Sequence, residues 1–190
     1  MVQTYLPGNF GGDAVADIIF GDVNPSGKLP YNYPRYPNAL IPYIHKHSEE
    51  QTKAEGVYNY EADYSPQFSF GDGLSYTTFE YSNLQLDKSS GKNSEKILVK
   101  VNVTNTGKLA GKEAVELYTS DLYASEITPD VKRLRKFEKI SLEPGETKTV
   151  EFELDTRELG YFTPKGEFKV EAGEFEILVK DLKQTYVLTE

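Results

Sequence analysis

The 190-residue chain has a net charge of −9 and no cysteine. Its acidity argues against a nucleic-acid partner, because proteins that bind nucleic acid present a basic face to the phosphates. The absence of cysteine excludes disulfides and cysteine-ligated zinc. The sequence contains neither an apolar run of about 18 residues nor a basic amphipathic stretch, so it gives no indication of a membrane partner. The 14 tyrosines and 10 phenylalanines favour β structure, in which aromatic side chains pack well.

The first 35 residues contain one short helix. Residues 2–6 are predicted to be the end of a strand, and a helix is predicted over residues 12–20. Val15, Ile18 and Ile19 fall on one face of that helix, and the glycine that follows it supplies a left-handed stop. Isolated helices need about 12–15 residues to persist in water. We therefore expect the apolar face to need a partner sheet from outside this chain, with packing on downstream residues as the alternative.

A long irregular segment follows. Residues 30–69 hold five of the ten prolines and show no regular periodicity. Proline fixes φ and removes a hydrogen-bond donor, so central strands are not expected here. We predict an extended strap that lies against the surface of another part of the protein.

From residue 79 onward, hydrophobic and polar residues alternate with a period of two. The clearest runs are those at 97–104, 115–118, 149–154 and 175–180, with a last strand predicted at 185–189. Turns that contain asparagine, proline or glycine separate them. About seven short strands with one polar face, spread over ~100 residues, are typical of an antiparallel β-sandwich.

Three blocks of sequence resemble family 3 glycoside hydrolases, the β-glucosidase and β-xylosidase family. The segment Pro7–Gly27, PGNFGGDAVADIIFGDVNPSG, resembles the end of their α/β-sandwich domain. The segment Phe70–Phe79, FGDGLSYTTF, resembles the linker to their last domain. The remaining matches are to the fibronectin type III-like domain that ends many of these enzymes, at Val103–Gly107, Gly111–Tyr118, Pro129–Ile140, Leu142–Thr147 and Gly173–Val179.

This resemblance covers nearly the whole chain and implies its fold class. The fold would be mostly β, an antiparallel immunoglobulin- or fibronectin III-like sandwich with an N-terminal α/β-domain remnant. The implied division is residues 1–35 for the remnant, 36–78 for the extended linker or strap, and 79–190 for the sandwich. Lys136 stands where the family often has glycine, so we expect an ordinary backbone conformation there.

The resemblance also places the chemistry outside this chain. Retaining glycosidases use two carboxyl groups about 5–5.5 Å apart. In the resembled family one is an Asp on an N-terminal barrel and the other is usually a Glu in the α/β-sandwich domain, and both would precede residue 1. No catalytic residue and no cofactor is therefore predicted. Of the acidic residues considered as substitutes, Asp17 is interpreted as part of a solvated helix face, and Glu49 and Glu50 as solvated loop residues. Asp121, Glu126 and Asp130 are predicted to lie in a loop of the sandwich, where acidic residues are common, and contact with sugar hydroxyls or a cation is the alternative.

The strap contains the candidate binding residues. In the resembled architecture it runs near the domain interface, and some members use such loops to border sugar subsites. Tyr43, His45 and Lys46 combine an aromatic ring, an imidazole and an ammonium group, and are the candidate substrate-binding residues. Packing at the interface is the favoured alternative. His45 and His47 lack a third ligand nearby, so no metal site is predicted.

The function implied by the resemblance is that of a non-catalytic C-terminal portion of a retaining β-glycosidase, with a β-glucosidase favoured. Its partners would be the upstream barrel and α/β-sandwich domains, a second copy of the chain through the 12–20 helix, or carbohydrate. A carbohydrate-binding module and a protein–protein interaction module are the alternatives. The first should show coplanar exposed aromatics and the second a tandem repeat, and the sequence shows neither clearly.

Overall fold

The computed structural model describes residues 2–39, 42–46 and 65–190. Predictions that concern His47, Glu49 and Glu50 lie outside these residues. Within the described part of the chain, no helix has the length and apolar character needed to cross a membrane. The elements are α1 (Gly11–Phe20), β1 (Phe79–Leu86), β2 (Ser90–Lys92), β3 (Lys96–Asn105), β4 (Gly111–Asp121), β5 (Arg133–Leu142), β6 (Thr147–Asp155), β7 (Tyr161–Phe162), β8 (Phe168–Lys169), β9 (Gly173–Val179) and β10 (Leu182–Thr189).

The predicted helix is confirmed within one residue. It ends as expected at Gly21, whose φ of 86° is left-handed and whose N–H donates to the carbonyl of Ile18 at 3.2 Å. The strand predicted at residues 2–6 is wrong, because no strand is assigned there. Tyr5 has a φ of 51°, which breaks an extended run, and its ring packs on Tyr31 instead.

The sandwich consists of two main sheets. One has the order β1-β3-β6, and the other has the order β2-β10-β9-β4-β5. All pairs are antiparallel except β2 with β10, and β7 and β8 form a separate small hairpin. Of the strands in the described residues, seven have at least seven residues, in agreement with the predicted sandwich.

Alternation along the strands creates the core between the two sheets. Every second residue of β3 is fully buried, as are apolar residues of β4, β9 and β10. Burial of one such aliphatic side chain stabilises the fold by ~1.5–3 kcal/mol. The fully buried side chains from these four strands include Ile97, Val99, Val101, Val103, Val115, Leu117, Ile177, Val179 and Tyr186.

Strand β5 lies at the edge of the five-stranded sheet and was not predicted by alternation. Its register against β4 shifts at Arg135, because Leu117 lies opposite Lys136 whereas Tyr118 lies opposite Leu134. Such a bulge changes the face to which the following side chains point. Lys136 has no positive φ, so its backbone is ordinary, as expected.

The end of β3 is fixed by a buried amide, that of Asn105. Its Nδ2 donates to the carbonyls of Leu109 and Leu142 at 2.8 and 3.0 Å. Its Oδ1 accepts from the hydroxyl of Thr77 at 2.6 Å and from the N–H of Gly107 at 3.1 Å. One side chain thus uses its full hydrogen-bonding capacity to join the linker, the β3–β4 turn and the end of β5.

Substitution Asn105→Ala should lower the free energy of unfolding by about 2–4 kcal/mol, because buried partners left unpaired are destabilising by ~1–3 kcal/mol each. The matched control is Asn102→Ala on the same strand, whose side chain lies on the polar outer face and accepts from Thr149 at 2.9 Å. We expect that change to stay within ~0.5 kcal/mol. Urea unfolding of both variants measures the difference, and equal effects would contradict the role given to Asn105.

Candidate functional site: the seam between the strap and the sandwich

The N-terminal region meets the sandwich along a line of contacts that we call the seam. It is formed by residues 24–39, 42–46 and 67–76 against the β3–β4 turn, β4, β5 and the loop that joins β4 to β5. At one end lies Asn24. Its Nδ2 donates to the carbonyl of Ala110 at 2.9 Å, and its Oδ1 accepts from the hydroxyl of Ser75 and the N–H of Tyr76, both at 2.8 Å. The Tyr76 hydroxyl in turn donates to the carbonyl of Ile18 at 2.6 Å. Helix α1 is thereby connected to the sandwich.

A buried carboxylate forms the next contact of the seam. Glu113 on β4 has 8% of its side chain exposed and pairs with Lys28 at 3.1 Å. The hydroxyl of Tyr81 donates to the same carboxylate at 3.0 Å. Burial, followed by the proximity of Glu113, raises the pKa of Tyr81, so its hydroxyl stays protonated as a donor. The Lys28 cation therefore compensates a charge that the sandwich buries.

The two ends of the strap lie side by side. Tyr33 donates its N–H to the carbonyl of Phe68 at 2.7 Å, and Leu29 exchanges backbone hydrogen bonds of 2.9 Å with Gly71 and Asp72. Gly71 has a φ of 83°, and a Cβ there would lie 2.5 Å from the Glu116 carboxylate. The left-handed conformation therefore favours glycine at position 71 of the linker motif, and any larger residue would also displace the Glu116 carboxylate.

An aromatic group holds the middle of the seam. The ring centroids of Tyr43 and Phe70 are 4.3 Å apart. Those of Phe70 and Tyr118, on β4, are 6.5 Å apart with the two rings nearly perpendicular. Lys132 places its ammonium 4.5 Å from the Tyr118 ring, within the range of a cation–π contact. The backbone N–H of Leu134, on edge strand β5, donates to the Tyr43 hydroxyl. Burial raises the pKa of Tyr43.

The far end of the seam is an ion cluster around Asp130, whose side chain is 4% exposed. Its carboxylate pairs with Lys46 and accepts from Nε of Arg133 at 2.5 Å. The N–H of Val131 donates to the carbonyl of His45 at 2.9 Å, so backbone and side chain anchor the strap together. Burial opposes ionisation of Asp130, but the hydrogen bonds from Lys46 and Arg133 outweigh it and hold its pKa below the usual value.

The structure brings Tyr43, His45 and Lys46 together, but it directs their described contacts into the chain itself. Tyr43 accepts from β5, Lys46 pairs with Asp130, and Nδ1 of His45 lies 3.0 Å from the Tyr43 carbonyl. These contacts are those of the interface-packing alternative. Substrate binding by the three residues stays a prediction.

Sequence reasoning missed the role of Asp130. The sequence pattern indicated an ordinary acidic loop residue, whereas the structure buries Asp130 against Lys46, which is 84 positions away in sequence. By contrast, Asp17 is exposed on α1, and Glu126 forms a surface ion pair with Lys169. No group of three His, Asp or Glu side chains in the described residues is arranged to hold a metal ion.

Two family models match the chain in succession. The Glycosyl hydrolase family 3 C-terminal domain matches residues 1–76, and the Fibronectin type III-like domain matches residues 113–182. The chain belongs to glycosyl hydrolase family 3. Its residues form the C-terminal part of such an enzyme, and the seam joins the two matched regions.

Similar proteins support the same family 3 assignment. Thermostable beta-glucosidase B of Acetivibrio thermocellus is 42% identical over 198 aligned positions, which cover 100% of this chain and 26% of that protein. A beta-xylosidase of Formosa agariphila is 42% identical, covering 94% of this chain and 24% of its own. The structure of a β-glucosidase from Listeria innocua in complex with gluconolactone superposes with a TM-score of 0.88 at 29% identity, covering 99% of this chain and 27% of that one. The chain thus spans about a quarter of the length of these relatives.

Two isosteric substitutions, one of Asp130 in the β4–β5 loop and one of Asp121 at the end of β4, should differ in their effect on stability. Asp130→Asn removes the charge that Lys46 and Arg133 neutralise, and should lower the free energy of unfolding at pH 7 by about 1–3 kcal/mol. Asp121→Asn should be neutral or slightly stabilising. Burial and then Glu171 raise the pKa of Asp121, so folding disfavours its ionised form, and an asparagine oxygen can still accept from the N–H of Tyr123.

The pH dependence of stability checks the same assignment. A carboxyl whose pKa is lowered by folding stabilises the protein above its usual pKa of 3.8, and this stabilisation is lost as the pH falls through the lower folded value. Thermal unfolding between pH 7 and pH 2 should therefore show a smaller acid-induced loss in Asp130→Asn than in the wild type. An unchanged acid dependence would contradict the ion cluster.

Proposed function

We propose that these residues are the non-catalytic C-terminal portion of a retaining β-glycosidase, a β-glucosidase in the favoured case, and that they complete and stabilise its catalytic domains. The seam is the observation that carries this proposal. It fixes the segment matched by the family 3 C-terminal domain onto a sandwich with its own core, through Asn24, Glu113 and Asp130. The names of the relatives, β-glucosidase more often than β-xylosidase, support the choice of sugar.

The exposed side of α1 is proposed as the contact with the rest of the parent enzyme. Val15 and Ile18 are half-buried, but Ile19 is 62% and Phe20 is 82% exposed, and the adjoining Phe10 is 80% exposed. Neighbouring apolar side chains on one surface usually mark a contact with a partner. We assign this surface to the remainder of the α/β-sandwich domain, and self-association of the chain is the alternative.

The proposed division of the chain is residues 1–35 for the α/β remnant, 36–78 for the strap and 79–190 for the sandwich. The buried side chain of Thr77 extends the region on which the sandwich depends, because it donates to Asn105. The carbonyl of Thr78 adds a hydrogen bond of 2.9 Å from Thr106. Residues 77 and 78 therefore serve the sandwich as well as the linker.

A fragment of residues 77–190 should unfold cooperatively on heating, because the described core residues lie within it. A fragment of residues 79–190 should be less stable by about 1–3 kcal/mol, since it loses the hydrogen bonds of Thr77 and Thr78. Thermal unfolding followed by circular dichroism compares the two. If the longer fragment shows no cooperative transition, the first 76 residues are part of the sandwich core and the proposed division is wrong.

The 190-residue chain alone should not hydrolyse aryl β-glucosides or β-xylosides. Positioned catalytic groups supply rate enhancements of ~10⁶-fold or more, and the family places both carboxyl groups upstream. Mixing the chain with the upstream part of the parent enzyme should restore release of nitrophenol. Hydrolysis by the pure chain above a mock preparation, or no recovery on mixing, would overturn the proposal.

The same assay tests the contact surface of α1. Phe20→Glu should reduce the recovered activity at equal concentrations by about tenfold or more, because it places a charge in an apolar contact. Phe137→Glu is the matched control, since Phe137 is 70% exposed on β5 in the sandwich. Equal recovery with both variants would exclude α1 as the main contact.

A further inference from the structure

The turn that follows β4 holds an exposed aromatic ring on a fixed backbone. The N–H of Tyr123 donates to Oδ1 of Asp121 at 3.1 Å, and the N–H of Ser125 donates to Oε2 of Glu171 at 2.9 Å. Ala124, between them, is buried, yet the Tyr123 side chain is 75% exposed. The ring therefore adds little to folding and is presented to solvent in a defined position.

A groove of about 450 Å³ lies beside this ring. Its lining mixes apolar side chains, Val170 and Leu188, with the polar side chains of Asn93 and Thr189. Its volume falls within the ~300–1,000 Å³ that is usual for small-molecule sites. The Thr189 hydroxyl donates to the carbonyl of Gly91 at 3.2 Å, which leaves its oxygen able to accept from a ligand.

The lining also contains two acidic residues, Glu171 and Glu190, and the charge of Glu171 is compensated within the protein. Glu171 accepts from the hydroxyl of Tyr161 at 2.8 Å and pairs with Lys169 at 2.6 Å, in addition to its bonds from Ser125. The hydrogen bond from Lys169, followed by those from Ser125, lowers the pKa of Glu171 to about 2. The Glu171 carboxylate is thus ionised and hydrogen-bonded within the groove wall. These bonds make the wall more rigid, and because Lys169 already neutralises the charge, the carboxylate does not attract a further cation.

These properties select among classes of ligand. The net charge of −9 disfavours an anionic ligand, and the polar part of the lining disfavours a lipid. A sugar ring fits both the apolar and the polar side chains of the lining, because its C–H face is apolar and its edge carries hydroxyl groups. We propose that the groove binds a neutral β-linked glucan segment, with one sugar ring on Tyr123 and hydroxyl groups on Asn93 and Thr189. The choice of glucan rests on the proposed function as part of a β-glucosidase.

Affinity electrophoresis of the full chain in native gels tests this proposal, with soluble mixed-linkage β-glucan in the gel as the probe. The wild type should be retarded relative to a gel without glucan, and Tyr123→Ala should lose this retardation. Tyr36→Ala is the matched control, since Tyr36 is 54% exposed in the strap and is not part of the groove. That variant should be retarded as the wild type is.

The outcomes separate this proposal from the proposed function. No retardation of the wild type, or equal retardation of wild type and Tyr123→Ala, overturns the glucan site but leaves the recovery of hydrolysis on mixing unaffected. Loss of retardation in Tyr36→Ala as well assigns binding to exposed tyrosines in general and also overturns it. Thermal unfolding of Tyr123→Ala should match the wild type, because the ring is exposed.

Discussion

A strap rich in proline cannot satisfy its backbone groups by itself, and its anchoring to β4 and β5 is the constraint on which the arrangement of this chain depends. Proline removes donors and prevents regular pairing, so order must come from groups on another surface. The sandwich supplies them at spaced positions: a carboxylate at Asp130 and an edge N–H at Leu134 hold the strap, and the Ala110 carbonyl and the Glu113 carboxylate hold the segment just before it. Their spacing determines the path of the strap.

The anchoring has an asymmetric energetic consequence. Removing the N-terminal segment that contains Lys28 and Lys46 would expose Glu113 and Asp130 to water, where a carboxylate is hydrated at little free-energy cost. Removing only Lys28 or Lys46 would leave a carboxylate covered and without that cation, which is more destabilising. The sandwich can therefore be stable alone, and yet single substitutions in the seam should be poorly tolerated in the full chain.

The sequence predicted those parts of the fold that depend on local patterns. The alternation of hydrophobic and polar residues predicted β3, β6 and β9, and the preference of glycine for a left-handed conformation predicted the end of α1. It failed at β5, an edge strand whose bulge interrupts the alternation, and at residues 2–6, where the left-handed conformation of Tyr5 cannot be read from side-chain type. The ion cluster around Asp130 could not be predicted from local sequence patterns either. Asp130 becomes buried only when a segment 84 positions away covers it.

Among the exposed apolar side chains of the described residues, Phe20 and Tyr123 differ in their surroundings. Phe20 lies on a short helix with few internal contacts, in a segment that the family 3 C-terminal domain matches. Its exposure there agrees with the proposed contact between α1 and the remainder of the α/β-sandwich domain. Tyr123 lies on a turn of the sandwich, where the core beneath is complete and hydrogen bonds on both sides fix the backbone. Since these hydrogen bonds already fix the turn, the exposure of the ring is consistent with the ligand contact proposed for it.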